Sequence, residues 1–130
     1  MTEWEKMLAG KLYDAGDPYV CEMRMRCRKL LYAYNNCPPD DEEEKARLRN
    51  EIFGKKVRII EIVPPFHCDF GINIDMGDDC IVNAGCVFIE AAPIKIGRHC
   101  LFGPGVKISS VTHPIDPAAR DEGHEYGKPI

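Results

Sequence analysis

The stretch that decides the fold is Met76-Gly-Asp-Asp-Cys-Ile-Val-Asn-Ala-Gly-Cys-Val87, resumed by Ile96-Gly-Arg-His-Cys-Leu-Phe-Gly-Pro-Gly-Val-Lys-Ile-Ser-Ser-Val-Thr-His113. Read in sixes, it has a large apolar residue at every first position and a smaller residue at every fifth. The first positions are Met76, Val82, Phe88, Ile96, Phe102 and Ile108, and the fifth are Cys80, Cys86, Cys100, Val106 and Thr112. Glu90-Ala-Ala-Pro93 interrupts the period and is expected to protrude as a short excursion. Periodicity of this kind indicates a repeat architecture.

The period of six predicts a left-handed parallel β-helix, in which each coil has three flat faces of about six residues. The first position fills the interior, and the fifth must be small because it lies near a corner. Cys80, Cys86 and Cys100 are therefore expected to be buried and inert. A β-sandwich is the rival fold, but its turns are expected about every 8–12 residues. Residues 72–113 provide an incomplete helix of about two coils, at about eighteen residues a coil.

The region before the repeat has helical periodicity instead. Asp17 followed by proline predicts the start of a long helix, which Asn35 to Pro39 would end. Asp40 or Asp41 predicts the start of another, running to Phe53 and stopped by Gly54. We expect residues 1–55 to form an α-helical cap, and residues 56–130 to form the hexapeptide-repeat β-helix together with a loop.

Composition excludes several functions for this chain of 130 residues. Its net charge is −4 and its pI about 5.6, and it has no basic block, so we expect no nucleic-acid partner. No stretch has the roughly 18 apolar residues of a membrane helix, and the N-terminus lacks the apolar region of a signal peptide. We therefore expect a cytoplasmic protein without membrane attachment. The seven cysteines contain no C-x-x-C pair, which predicts reduced thiols and no metal site.

Three further motifs accompany the repeat, and a resemblance rests on them. They are Met7-Leu-Ala-Gly-Lys-Leu-Tyr-Asp14, Pro64-Pro-Phe-His-Cys-Asp-Phe-Gly71 and Thr112-His-Pro-Ile-Asp-Pro117, the last followed by Glu125-Tyr-Gly-Lys-Pro-Ile130. Over essentially its whole length the chain resembles the maltose and galactoside O-acetyltransferases. The resemblance implies acetyl transfer from acetyl-CoA to a sugar hydroxyl, with maltose, glucose or a galactoside as acceptor, at a site between the subunits of a homotrimer. In that family much of the CoA contact surface follows the Gly-Lys-Pro-Ile segment, so the chain is expected to be C-terminally truncated.

The resemblance also implies roles for five residues. His113 matches the family's catalytic histidine, and a histidine suits a general base that acts near neutral pH. Asp69, Asn83 and Asp14 match acceptor-contacting positions, and Glu125 would orient His113 or contact the acceptor. Each has a structural alternative: a locally bonded loop histidine, turn-capping aspartates, a turn asparagine and a solvated loop acid.

One other mechanism and two other functions compete with direct sugar acetylation. A covalent acetyl-cysteine route is disfavoured because no cysteine neighbours His113 in sequence. A non-catalytic assembly subunit would use the cap and the coils only for oligomerisation. A β-helical carbonic anhydrase would need three metal-binding histidines, which His99 and His113, in a chain with four histidines, do not supply.

Overall fold

The cap contains three helices and one short strand. A computed structural model describes residues 1–130. In chain order the cap elements are α1 (Glu3–Leu8), β1 (Tyr13–Asp14), α2 (Pro18–Asn35) and α3 (Glu42–Phe53). None of the helices has both the length and the apolar character that crossing a bilayer demands.

Local capping chemistry determines where the two long helices begin and end. The Asp17 side chain accepts hydrogen bonds from the first turn of α2, and proline occupies the first helical position. Asp41 caps α3 in the same way, and α3 ends at Gly54, whose φ of 68° lies in the left-handed region. Glycine adopts that conformation without the steric cost of a β-carbon. The helix boundaries predicted from these residues are confirmed.

Eight short strands form three parallel sheets around a common interior. They are β2 (Glu61–Ile62), β3 (His67–Cys68), β4 (Ile74–Met76), β5 (Ile81–Val82), β6 (Val87–Ile89), β7 (Ile94–Ile96), β8 (Leu101–Phe102) and β9 (Lys107–Ser109). The sheet orders are β2-β5-β8, β3-β6-β9 and β4-β7. Every third strand therefore returns to the same face, which is the arrangement of a parallel β-helix. The predicted fold class, a β-helix preceded by a helical cap, is confirmed.

The coils are longer and begin earlier than the repeat suggested. Ile62 pairs with Val82, and Val82 pairs with Phe102, so each coil spans 20 residues. The stack starts at β2, before the expected position 72, because Ile62 and Cys68 point inward, six residues apart. Their segment escaped the repeat because it has Val63 in place of the glycine and a large Phe66 in place of the small fifth residue. The extra length lies at the corner that contains Glu90, which is buried and does not protrude as expected.

The interior is packed by apolar and aromatic side chains from successive coils. Phe88 contacts the rings of Phe66 and Phe102 edge to face, with centroids 5.4 and 5.2 Å apart. Cys80 and Cys86 are buried, as predicted from their fifth positions, whereas Cys100 is only partly buried. The burial predicted for Cys100 is wrong because it lies in the last coil, where no further coil covers it.

A buried polar junction attaches the cap to the first coil. The Glu61 carboxylate accepts hydrogen bonds from Lys45 Nζ at 2.8 Å and from Arg49 at 3.3 Å, and both cations are buried. The Tyr34 hydroxyl donates to the backbone carbonyl of Ile62 at 2.6 Å. These contacts fix α2 and α3 against β2, since unpaired buried charges would be costly.

A second contact joins the cap to the C-terminal loop. After β9 come β10 (Val111–Thr112), α4 (Pro117–Asp121) and β11 (His124–Gly127). Strand β11 pairs antiparallel with β10 on one side and with β1 of the cap on the other. The loop that leaves the third coil is thus held between that coil and the cap.

Candidate active site

The three-stranded sheet β1-β11-β10 brings distant parts of the sequence together. Its register places Tyr13 opposite Glu125, Asp14 opposite His124, and Thr112 opposite Tyr126. His113 follows β10 directly, so it lies beside the end of β11. Residues Tyr13 and Asp14 of the cap therefore meet His113 and Glu125 of the loop at one corner of the coil stack.

His113 and Glu125 face each other across this corner. The His113 side chain is 62% exposed, and its Nδ1 lies 3.9 Å from Glu125 Oε1. That separation is longer than a hydrogen bond, although such contacts often tighten when substrate binds. The other Glu125 oxygen, Oε2, accepts a hydrogen bond from the Tyr13 hydroxyl at 2.8 Å. Glu125 therefore lies between a buried phenol and the exposed imidazole.

Tyr13 remains a hydrogen-bond donor because its surroundings oppose ionisation. Burial raises the pKa of Tyr13, and the hydrogen bond to Glu125 and the charges of Glu125 and Asp69 raise it further. Phe70, the neighbour of Asp69 in sequence, packs in the same cluster as Tyr13, so Asp69 lies on this side of the molecule. Tyr13 was not predicted as a site residue, because its only signal in the sequence is its place in the motif that ends at Asp14.

Asp14 serves the local turn at the start of the site. Its side chain accepts a hydrogen bond from the Gly16 N–H at 2.9 Å, and its own N–H donates to the Glu3 carboxylate at 2.9 Å. This is the turn-capping arrangement that the sequence allowed. The same turn keeps Asp14 next to β11, so Asp14 can cap the turn and still lie at the site.

Asp69 lies above a buried carboxylate that the sequence analysis overlooked. Glu90 is completely buried, and its Oε1 accepts hydrogen bonds from the N–H groups of Phe70 at 2.7 Å and Gly71 at 2.5 Å. Burial raises the pKa of Glu90 to about 8, against the opposing effect of these hydrogen bonds. The Asp69 side chain is partly exposed, with one oxygen 3.8 Å from His67 Nε2. Glu90 thus holds the backbone that presents Asp69.

Asn83 does not join the other candidate residues within one chain. It is exposed at the corner after β5, and its Oδ1 accepts a hydrogen bond from the N–H of Ala84 at 2.7 Å. Asp69 and His113 belong to the next corner, beyond the β3-β6-β9 face. A complete face of the coil therefore separates Asn83 from them.

The four buried cysteines have the character of packing residues. All seven are free thiols, and the buried sulfurs of Cys27 and Cys68 lie 3.6 Å apart. The hydrogen bond to Cys27, together with burial, raises the pKa of Cys68 well above its usual range. A thiol with a raised pKa is a poor nucleophile. No group of three His, Cys, Asp or Glu residues is placed to hold a metal ion.

Comparison with known proteins adds to this geometry. Residues 6–56 match the family model described as the maltose acetyltransferase hexapeptide capping motif. A presumed acetyltransferase of Dictyostelium discoideum is 39% identical over 130 residues, which are 100% of this chain and 67% of that protein. A maltose O-acetyltransferase from Clostridium difficile superposes with a TM-score of 0.92 at 37% identity, covering 99% of this chain and 69% of that one.

A galactoside acetyltransferase solved in complex with coenzyme A superposes with a TM-score of 0.90 at 30% identity, covering 100% of this chain and 65% of that one. The chain thus spans about two thirds of the length of each of these proteins. The helical cap followed by a parallel β-helix is the architecture that the chain shares with these hexapeptide acetyltransferases. Within that class, the chain belongs to the maltose and galactoside O-acetyltransferase family.

Proposed function

We propose that the protein transfers an acetyl group from acetyl-CoA to a hydroxyl of a sugar such as maltose, glucose or a galactoside, with His113 as general base. The observation that carries this proposal is the β1-β11-β10 sheet, which sets His113 beside Glu125 and places Asp14 on the other side of β11. The match to solved maltose and galactoside acetyltransferases over nearly the whole chain supports it.

His113 has the exposure and the chemistry that the proton transfer needs. A sugar hydroxyl is a weak nucleophile, so a base must remove its proton as it attacks the thioester carbonyl. With Nδ1 directed at Glu125, the Nε2 atom is left to accept that proton. The attacking oxygen then forms a tetrahedral intermediate, which collapses by expelling the CoA thiolate. The proton held on His113 passes to that thiolate, so atoms and charge balance.

The carboxylates around His113 suit a polyhydroxylated acceptor. Asp69 and Glu125 are partly exposed, and ionised carboxylates accept several hydrogen bonds from hydroxyl donors. Asp14 lies on β1, opposite His124 of β11 and one residue after the partner of Glu125. We assign these three residues to acceptor binding, in addition to the orienting role of Glu125.

We assign Asn83 to the acceptor site of a neighbouring subunit. A single chain leaves Asn83 one coil face away from His113, so both can act on one acceptor only if two chains contribute. A homotrimer of triangular coil stacks would bring one corner of each subunit against the next.

The acetylation would take place in the cytoplasm, where seven free thiols would stay reduced.

The proposal is tested by acetyl transfer to maltose, glucose and galactosides, measured as acetylated sugar by mass spectrometry. A thiol reagent is unsuitable because the free cysteines of the protein would react with it. His113→Asn is compared with His99→Asn, which changes a histidine on another corner whose φ of 57° asparagine tolerates. We expect His113→Asn to lower kcat at least about a hundredfold, as loss of a general base does, and His99→Asn to leave it unchanged.

Two outcomes would contradict the proposal. Equal activity in His113→Asn and the wild type would remove His113 as the base. A folded wild-type chain that acetylates none of the sugars would favour the non-catalytic assembly role.

The site shared between two subunits has its own test, in which His113→Asn and Asn83→Ala chains are refolded together. Transfer at low acceptor concentration should be restored, because mixed trimers would contain one site with both residues intact. No gain over the separate variants would refute a site built from two chains.

A further inference from the structure

We infer that Tyr13 is a positioning residue for His113, acting through Glu125, so that the cap sets the tautomer and orientation of the catalytic base. The inference rests on the proposed role of His113. It goes beyond that role by giving the cap a part in the chemical step, in addition to its part in the acceptor pocket.

Tyr13 contacts Glu125 directly. The two residues are direct cross-strand partners of β1 and β11, and the hydroxyl donates to Oε2 at 2.8 Å. A hydrogen bond to an ionised acceptor is stronger than one between neutral groups. Because burial keeps the phenol protonated, the donor is present throughout the pH range in which an enzyme works.

Packing fixes the position of the Tyr13 ring. The Tyr13 side chain is 1% exposed and packs in a cluster with Met7, Val20, Phe70 and Ala91. These neighbours come from α1, α2 and two successive coils. A ring held by packing on several sides has one direction for its hydroxyl, so Glu125 is bonded to a rigid part of the cap.

The second oxygen of Glu125 is free to act on His113. With Oε2 engaged by Tyr13, Oε1 is the oxygen that faces His113 Nδ1, at 3.9 Å. A carboxylate there favours the imidazole tautomer that carries its proton on Nδ1. The lone pair then resides on Nε2, which is the atom available to the acceptor hydroxyl. Without the Tyr13 hydroxyl, Glu125 can rotate, and both tautomers of His113 become accessible.

Tyr34 supplies the comparison that separates positioning from packing. It is also a buried tyrosine, 1% exposed, and its hydroxyl donates to a backbone carbonyl at 2.6 Å. That bond joins the cap to the first coil, away from His113. The Tyr34 hydroxyl also accepts a hydrogen bond from Arg49 at 3.4 Å, so Tyr34→Phe loses at least as many hydrogen bonds of a buried phenol as Tyr13→Phe does. Only Tyr13 is connected to the imidazole.

The experiment compares Tyr13→Phe with Tyr34→Phe in the whole chain. The ¹⁵N resonances of the His113 imidazole, assigned with His113→Asn, report which nitrogen carries the proton when the ring is neutral. In Tyr13→Phe we expect the Nδ1–H tautomer to lose its dominance, and kcat to fall about tenfold with the acceptor KM within about twofold, as outer-sphere orienting partners do. In Tyr34→Phe the resonances should match those of the wild type. Glu125→Gln should reproduce the tautomer change and serves as the second variant if Tyr13→Phe fails to fold.

Unchanged His113 resonances in folded Tyr13→Phe, or equal changes in the two tyrosine variants, would overturn the inference. A fall in kcat without a tautomer change would also overturn it, since the hydroxyl would then act by another route. The base assignment fails separately, if His113→Asn keeps its activity. The resonance measurement does not depend on turnover, so the two failures are distinguishable.

Discussion

Glu90→Gln should remove most of the alkaline destabilisation of this protein. Glu90 is fully buried and its pKa is raised to about 8 by burial, whereas the same carboxyl in the unfolded chain has the ordinary value of 4.5. At about 1.4 kcal/mol for each tenfold change in a proton affinity, ionising Glu90 in the folded state costs on the order of 5 kcal/mol. Glutamine keeps an acceptor oxygen for the N–H groups of Phe70 and Gly71 but cannot ionise.

The raised pKa of Glu90 makes the folded protein less stable as the pH rises. The contribution of Glu90 to stability is fully present below pH 4.5 and is lost as the pH rises through about 8, because the unfolded state releases the proton first. Between pH 6 and pH 9 the free energy of unfolding should fall by roughly 3 kcal/mol through this residue. The measurement is urea unfolding at a series of pH values, followed by circular dichroism.

The wild type and Glu90→Gln share every other titrating group, so the difference between their pH profiles isolates Glu90. Glu43→Gln, which neutralises an exposed acid of α3, is the matched control and should keep the wild-type slope. Parallel profiles for the wild type and Glu90→Gln between pH 6 and pH 9 would refute the reasoning. They would mean that Glu90 is already ionised at pH 6 and that its backbone donors compensate for burial.

Three further substitutions test the fold and the site. Gly71→Ala should cost at least about 3 kcal/mol of stability, because its φ is +74° and a β-carbon there would lie 2.3 Å from a backbone oxygen. Gly103→Ala is the control: a β-carbon there would have no atom within 4 Å, so stability should change by under about 1 kcal/mol. Chemical denaturation measures both. Glu61→Ala removes the carboxylate partner of the buried Arg49 and the closer of the two partners of the buried Lys45, and it should cost about 3 kcal/mol. Glu44→Ala, in an exposed pair, should cost under about 1 kcal/mol, and equal losses would contradict the buried junction. Asn83→Ala should raise the acceptor KM several-fold with an unchanged melting temperature, and an unchanged KM would remove Asn83 from the site.

The sequence predicted the fold well where the repeat is regular. Large first positions and small fifth positions are local consequences of the triangular interior, so they can be read along the chain without knowing any contact. The first coil escaped this reading because Ile62, Phe66 and Cys68 fill the same interior without the glycine that marks the later hexapeptides. The partial exposure of Cys100 depends on what lies above its coil, which its own hexapeptide does not encode.

The candidate site was only partly accessible from the sequence. His113 and Glu125 could be proposed because the family resemblance covers them, and their proximity emerges from the pairing of β10 with β11. Tyr13 and Glu90 were missed for a physical reason. Tyr13 contacts Glu125 across 112 residues, and Glu90 accepts hydrogen bonds from backbone groups about one coil earlier. Neither partner leaves a mark in the local sequence pattern.

The same long-range pairing implies that the cap and the histidine loop become ordered together. Strand β1 has two residues and β10 has two, and strands this short are not stable alone. Each is held by β11, which is packed tightly enough that a β-carbon on Gly127 would lie 2.2 Å from the Ser110 carbonyl oxygen. Loss of β1 would release β11, and with it the contact between Glu125 and His113. The proposed site is therefore a property of the closed sheet, and a cap without the loop, or a loop without the cap, would not form it.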